Sequence, residues 1–431
     1  MAAAFEQAFG GPAEFGVRAP GRVNLIGEHI DYSGYSVLPM ALEAAIYIYA
    51  RPTSDGRLRI QNTDPQYQPF ECEFAQLKLG SELAWYKYVL CGLKGAEEAL
   101  GGWEGQEGME MMVEGHVAPS AGLSSSSALV CAAFLAALRR AHAIQRFTPA
   151  QIAEAAAGSE RYIGTEGGGM DQAACLLGQE GQALHISFRP LVARPIQLPP
   201  DAAFVVAHSG QTANKAAFAG YNERVVECRL AAAVLGKGEG QAVVGGWTLG
   251  SLQDALGKSL KEMGALVQQH LHLEPYNRQE LKDYLTIDDE SLCRDFLSQN
   301  TLQMSEFRLR QRAGHVFAEA QRVEAFAGVA GAGGEGSIQE LGHLMNESHA
   351  SCRDSYDCSC PALDELCQAT LEAGAVGSRL TGAGWGGCSV SLVPRQELDA
   401  FLPKLKARQE EIYEQFVFVS KPAAGATVFD V

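Results

Sequence analysis

A run of small residues, Pro119-Ser120-Ala121-Gly122-Leu123-Ser124-Ser125-Ser126-Ser127-Ala128, leads directly into Leu129-Val130-Cys131-Ala132-Ala133-Phe134-Leu135-Ala136-Ala137-Leu138. The second stretch is Ala-rich and apolar on all sides, the pattern of a buried helix, which places the serines in its first turn. Backbone N–H groups there have no intrahelical partner and carry the positive end of the helix dipole. Small side chains let an anion such as a phosphate chain reach those donors, and the hydroxyls add donors or a Mg²⁺ ligand. Taken alone, the segment also reads as an N-cap in a serine-rich loop, the commoner case. It is not a Walker A loop, since no G-x-x-x-x-G-K-[S/T] occurs there.

The net charge of −17 argues against nucleic acid or an anionic membrane as the main partner. A polyphosphate ligand would then need a local site of backbone amides, a metal ion and a few cations. The composition, 47% hydrophobic and 20% charged over 431 residues, is that of a soluble globular protein with ample core. Eleven cysteines, several inside apolar stretches, suit reduced thiols and a cytoplasmic location better than a disulfide framework. The cluster Cys352, Cys358, Cys360 and Cys367 has no zinc-ligand spacing. The Met-Ala-Ala-Ala-Phe-Glu-Gln start lacks the pattern of a secretory signal.

Strands are expected at 15–19, 37–51, 58–62 and 109–114, and helices at 83–99, 126–142 and 149–163. Strands return at 184–188 and 204–208. Without regular strand–helix alternation the fold class is α+β. Beyond residue 210 helices dominate, at 214–235, 249–270, 307–326, 338–349 and 361–373, with 327–336 expected as an exposed Gly/Ala loop. Strands close the pattern at 376–380, 388–393 and 416–419. Leu198-Pro199-Pro200-Asp201 interrupts the pattern and suggests two domains, 1–200 and 201–431.

Three further segments can carry chemistry. Between early strands, Arg22, Glu28, His29 and Asp31 crowd a short Gly-containing loop and offer donors and acceptors for sugar hydroxyls. A solvated turn with an incidental ion pair fits equally well. Glu160-Arg161-Tyr162-Ile163-Gly164-Thr165-Glu166-Gly167-Gly168-Gly169-Met170-Asp171-Gln172 sets three glycines ahead of an Asp. Such a carboxylate can accept a hydroxyl proton during phosphoryl transfer, although a Gly-rich turn closed by an Asp cap is the simpler reading. Gly382-Ala383-Gly384-Trp385-Gly386-Gly387 fits G-x-G-x-x-G, but a strand follows it where a dinucleotide fingerprint must open a helix. A dehydrogenase is therefore rejected.

In this order and spacing the segments resemble the three motifs of the GHMP kinase superfamily. Pro20-Gly21-Arg22-Val23-Asn24-Leu25-Ile26-Gly27-Glu28-His29 with Asp31-Tyr32 narrows the resemblance to the galactokinases, over essentially the whole chain. The segments 159–172, 351–361 and 382–387 look like the N-acetylgalactosamine kinase branch. The resemblance implies the two-domain GHMP fold with its active site in the cleft between domains, and MgATP as donor to the C1 hydroxyl of N-acetylgalactosamine, with galactose as a further substrate. By matching positions, Arg22, Glu28, His29, Asp31, Gly168, Asp171 and Tyr221 would line the sugar site, with Asp171 and Arg22 catalytic. Pro119, Gly122, Leu123, Ser124, Ser125, Ser126 and Ser127 would wrap the ATP phosphates. Trp85 and Tyr88 would lie on the adenine side, though core packing of a helix explains them too. Ser126 is the implied Mg²⁺ ligand, and Glu160 a second candidate. The alternatives are a galactokinase proper, or a non-catalytic sugar and ATP sensor regulating transcription. A monomer is expected.

Overall fold

The computed structural model describes residues 1–80, 84–103, 107–212, 219–243, 245–334, 336–408 and 416–431. Contacts divide the chain into two discontinuous units: residues 1–23, 40–184 and 421–431, and residues 24–39 and 185–420. The principal change of unit falls after Leu184 rather than at residue 200. Pro199 and Pro200 only turn the chain into the next strand, with the Ala202 N–H bonded to the Pro199 carbonyl at 3.0 Å.

The first unit is built on a sheet of β1 (Phe15–Asn24), β2 (Pro39–Thr53), β3 (Arg57–Asn62), β4 (Phe70–Glu73) and β5 (Gly108–Gly115), plus a C-terminal strand, Thr427–Asp430. The order runs Thr427–Asp430, β1, β2, β5, β3, β4, with β3 parallel to β5. Its helices are α1 (Ala2–Phe9), α2 (Tyr86–Leu100), α3 (Ser125–Arg140), α4 (Pro149–Glu160) and α5 (Met170–Leu177). Nearly all of α3 is buried, as its composition requires. Gly92 of α2 lets the two helices approach closely: a Cβ there would stand 2.3 Å from the Val130 carbonyl oxygen. A Thr148–Gln151 capping box with Pro149 in the first turn fixes the start of α4.

In the second unit, β6 (Gln182–Phe188), whose first residues belong to the first unit, pairs with β7 (Leu191–Gln197). An antiparallel sheet orders Gly377–Leu380, Cys388–Pro394, β8 (Ala202–His208) and Val417–Ser420. The helices are α6 (Gly220–Gly238), α7 (Leu249–Leu256), α8 (Leu260–His270), α9 (Arg278–Leu285), α10 (Asp289–Asp295), α11 (Leu309–Ala332), α12 (Ser337–Ser351), α13 (Pro361–Ala373) and α14 (Leu398–Arg408). The helix expected at 249–270 is two, broken at Gly257 in the left-handed region. The loop expected at 327–336 is a correction: α11 continues to Ala332, because Ala327, Ala330 and Ala332 outweigh Gly328 and Gly331. It stops only at Gly333 and Gly334, both at positive φ. Residues 81–83 and 213–218, where two expected helices begin, lie outside the described residues. Among the described residues no helix is long and apolar enough to cross a membrane.

Candidate functional site

In the first unit the serine run does what its composition demands. Ser124 precedes α3 in the left-handed region (φ 61°), as do Ser120 (φ 56°) and Gly122 (φ 75°). Such alternation turns successive backbone N–H groups to one side, an anion-binding concavity. The first turn of α3 holds no acidic residue, and the Ser124 side chain caps no backbone N–H. Its buried hydroxyl has no protein partner. The side-chain capping role is therefore not filled by Ser124, a geometry compatible with an anion at this turn. Gly21 of β1 is required beneath this loop, since a Cβ would stand 2.6 Å from the Leu123 carbonyl oxygen.

Arg22 ties β1 to both the loop and α5. Its Nη1 donates to the Gly122 carbonyl (2.6 Å), while Nε and Nη2 both reach Asp171 Oδ1 (2.8 and 2.7 Å). The arginine side chain is only 4% exposed and the aspartate 14%, so the pair is largely shielded from water. Asp171 sits in the first turn of α5, two residues after Gly169 (φ 103°), where the helix dipole also favours its charge. The Ser127 hydroxyl, one helical position beyond Ser126, donates to Glu160 Oε2 at 2.8 Å and lies 3.4 Å from Asp171 Oδ2. The Gln172 amide also donates to Glu160. Burial, reinforced by the Glu160 charge, pushes the Tyr88 phenol and the Cys91 thiol each up to about 12. Trp85 donates its indole N–H to the Gln68 carbonyl (2.9 Å), and its ring lies beside Tyr67.

In the second unit the Asn24–Tyr32 loop is held almost entirely by buried side chains. Thr381 Oγ1 accepts from the Asn24 N–H (3.0 Å), and Arg379 donates to the Asn24 carbonyl (3.1 Å). Glu28, 1% exposed, accepts from Asn24 Nδ2 at one oxygen and the Gly382 N–H at the other, both at 2.6 Å. The Gly27 N–H donates to Glu319 (2.9 Å), and His315 Nε2 donates to the Glu28 carbonyl (3.1 Å). Burial alone would raise the Glu319 carboxyl, but the Arg322 and Arg379 guanidinium groups, with the Ser348 hydroxyl, prevail and hold it at about 2. Burial lowers His315 to about 4, keeping it neutral. His29, at φ 63°, packs its ring against Tyr32, Tyr221, Tyr356 and Trp385. Asp31 is buried at the head of a 3₁₀ turn. Gly384 must be glycine: φ is 82°, and a Cβ would stand 2.0 Å from the Cys358 carbonyl oxygen.

The structure thus brings Arg22, Asp171, Ser127 and Glu160 together in one unit, and Glu28, His29, Tyr221 and the Gly382–Trp385 turn together in the other. Ser126 is not the serine that meets the carboxylates; the 100° step per helical residue gives that place to Ser127. The residues overlooked in the sequence are Gln172, His315, Glu319, Tyr356, Arg379 and Thr381. Of these only Glu319 carries a clear signal, a charged side chain set among apolar neighbours in Val316-Phe317-Ala318-Glu319-Ala320.

A galactokinase galactose-binding signature matches residues 3–52, the GHMP kinases N terminal domain matches 87–179, and the GHMP kinases C terminal region matches 317–411. The chain is 37% identical over 433 residues to a galactokinase of Dictyostelium discoideum, covering 94% of this chain and 85% of that one. It is 31% identical over 494 residues to a galactokinase of Saccharomyces cerevisiae, covering 99% and 93%. This chain belongs to the galactokinase family. The crystal structure of Lactococcus lactis galactokinase complexed with galactose superposes with a TM-score of 0.77 at 25% identity, over 99% of this chain and 98% of that one. Methanococcus jannaschii mevalonate kinase, at 17% identity and a TM-score of 0.55 over 96% and 99%, shares the fold.

Galactokinases use ATP with Mg²⁺, and the first unit's donor set suits both. Mg²⁺ takes hard oxygen ligands, typically one or two carboxylates completed by water and substrate phosphates. Ser127, Glu160 and Asp171 offer such oxygens around one hydroxyl, with Arg22 the cation bound to Asp171. Among the described residues no cluster of three or more His, Cys, Asp and Glu could hold a metal unaided.

Proposed function

We propose that this galactokinase-family chain transfers the terminal phosphoryl group of MgATP to the C1 hydroxyl of galactose and N-acetylgalactosamine, giving the α-sugar-1-phosphate and ADP. The observation that carries this reading is the shielded Arg22–Asp171 pair beside the α3 N-terminus. Asp171, its Oδ1 held by Arg22, accepts the C1 hydroxyl proton or orients that hydroxyl. Arg22 keeps Asp171 ionised and screens charge on the phosphoryl group in flight. The N-terminus of α3 and the 119–127 loop bind the phosphates, and Ser127 with Glu160 holds Mg²⁺, which neutralises phosphate charge when bound. Glu28, His29, Asp31, Gly168 and Tyr221 are the proposed sugar-side residues.

N-acetylgalactosamine as a substrate rests on Gly167-Gly168-Gly169, which removes side chains from a wall where a C2 acetamido group needs room. The galactokinase names of the relatives favour galactose, so both sugars are proposed. Asp171→Asn should lower turnover by about 10²–10⁴-fold with ATP affinity changed only a few-fold. Near-normal turnover would remove Asp171 from the chemistry. Initial rates with each sugar, in the parent and in Gly167→Val, test the specificity; equal losses for the two sugars would sink the acetamido reading. Sugar-dependent ADP release excludes the pure sensor.

A further inference from the structure

The segment Cys352–Tyr356 is a π-helix at the end of α12, closed by Asp357 at φ 55°. A π-turn is an uncommon local solution, found frequently at functional sites. Here it delivers Tyr356, fully buried, against the rings of His29 (4.9 Å) and His315 (4.3 Å). Arg224 Nε fixes the Tyr356 carbonyl at 2.8 Å, and Arg312 fixes that of Ser355 at 2.7 Å. So much anchoring of one turn points to its side chain.

Hydrogen-bond direction along the cluster follows from one fact. The Ala383 carbonyl can only accept, so His29 Nε2, 2.9 Å away, carries a proton. In a neutral ring Nδ1 then accepts, and the Tyr32 hydroxyl at 2.8 Å must donate to it. Having given its proton, Tyr32 accepts from the Tyr356 hydroxyl at 2.6 Å. Cys228 Sγ, at 3.2 Å, ends the chain by donating to Tyr356. Burial raises both phenols well above their ordinary range and pushes the Cys228 thiol up to about 11, so each keeps the proton it must give. Both ring nitrogens of His29 are thereby taken by protein. What His29 has for a sugar is its backbone and ring edge, not an imidazole nitrogen.

We infer that Tyr356 is a positioning residue for the sugar loop: acting through Tyr32, it locks the tautomer and orientation of His29 and so fixes the Glu28–Asp31 turn to the Gly382–Trp385 turn. This rests on the sugar-side role proposed above for that loop. The links act in series, so their effects do not multiply.

The test is steady-state kinetics on Tyr32→Phe, Tyr356→Phe and the double variant, with galactose and ATP varied separately. Tyr32→Phe should raise the sugar KM by about 10–30-fold and Tyr356→Phe by about 3–10-fold, the range expected for breaking a buried hydrogen bond. kcat and the ATP KM should stay within about two-fold. The double variant should be no worse than Tyr32→Phe alone. A folded Tyr356→Phe enzyme with unchanged sugar KM, or multiplying effects, overturns the inference. A parent protein without sugar-dependent ADP release overturns the proposed function instead. Imidazole ¹⁵N spectra of the parent, with His29 assigned through His29→Asn, need no positioning variant to fold. A neutral ring protonated at Nε2 supports the chain, and any other protonation state overturns it.

Discussion

The two candidate surfaces are built from opposite materials. At the α3 N-terminus the donors are backbone N–H groups, framed by glycine and serine and left unclaimed by side chains. Around the Asn24–Tyr32 loop nearly every polar group is a buried side chain already paired with protein. A phosphate chain is recognised by charge and needs open donors, which helix geometry supplies without help from particular side chains. A neutral sugar is recognised by the placement of a few hydroxyl partners, which demands a rigid frame behind them. Substitution should therefore be tolerated differently in the two places.

The largest effect should come from the frame. Arg379, fully buried, bonds Asn24 and Ser348 and lies 3.6 Å from Glu28. Arg379→Met strands the Glu28 charge and should cost about 3–5 kcal/mol in urea unfolding. A loss below about 1 kcal/mol would show that the frame relaxes freely and would erase the contrast. Next comes the pH response of the same frame. His315 titrates near 4 folded, against about 6.5 unfolded, so the unfolded chain binds the extra proton between those values. Its contribution, about 3 kcal/mol, is complete above pH 6.5 and is lost as pH falls through 4. In His315→Gln the decline in the urea midpoint over that window should be shallower; an identical slope would remove His315 as its source. The smallest effect belongs to the α3 N-terminus. Ser127→Ala should lower turnover at limiting Mg²⁺ by about ten-fold more than Ser126→Ala, with less than about 1 kcal/mol separating their stabilities. Equal losses would restore Ser126 to the metal.

How much was legible in the residues follows the same division. A helix N-terminus is local, so Ser124 through Leu138 discloses the element and where it begins. The strands at 58–62 and 109–114 and the helix at 361–373 also fell within a few residues of their observed bounds. The frame behind the Asn24–Tyr32 loop is not legible, because it joins residues hundreds of positions apart, such as Glu28 with Gly382 and Gly27 with Glu319. No periodicity marks such a meeting. Ala327–Ala332 is helical although its glycines point to a loop, and the Gly167–Gly169 run masks the short α5 that follows it. His29 stands out in the residues as a candidate, but the chemistry of its nitrogens depends on Tyr32 and Ala383, which no local pattern links to it.

The pairing of Thr427–Asp430 with Phe15–Arg18 carries a consequence for biosynthesis. A strand laid down at the outset waits for a companion made some four hundred residues later. Until translation reaches that companion, the margin of the nascent sheet stands open, with unmet amides and carbonyls inviting strangers. Ribosome-bound or C-terminally clipped forms should therefore be the sticky ones, and a holdase that shields this margin would serve the chain best early in its life.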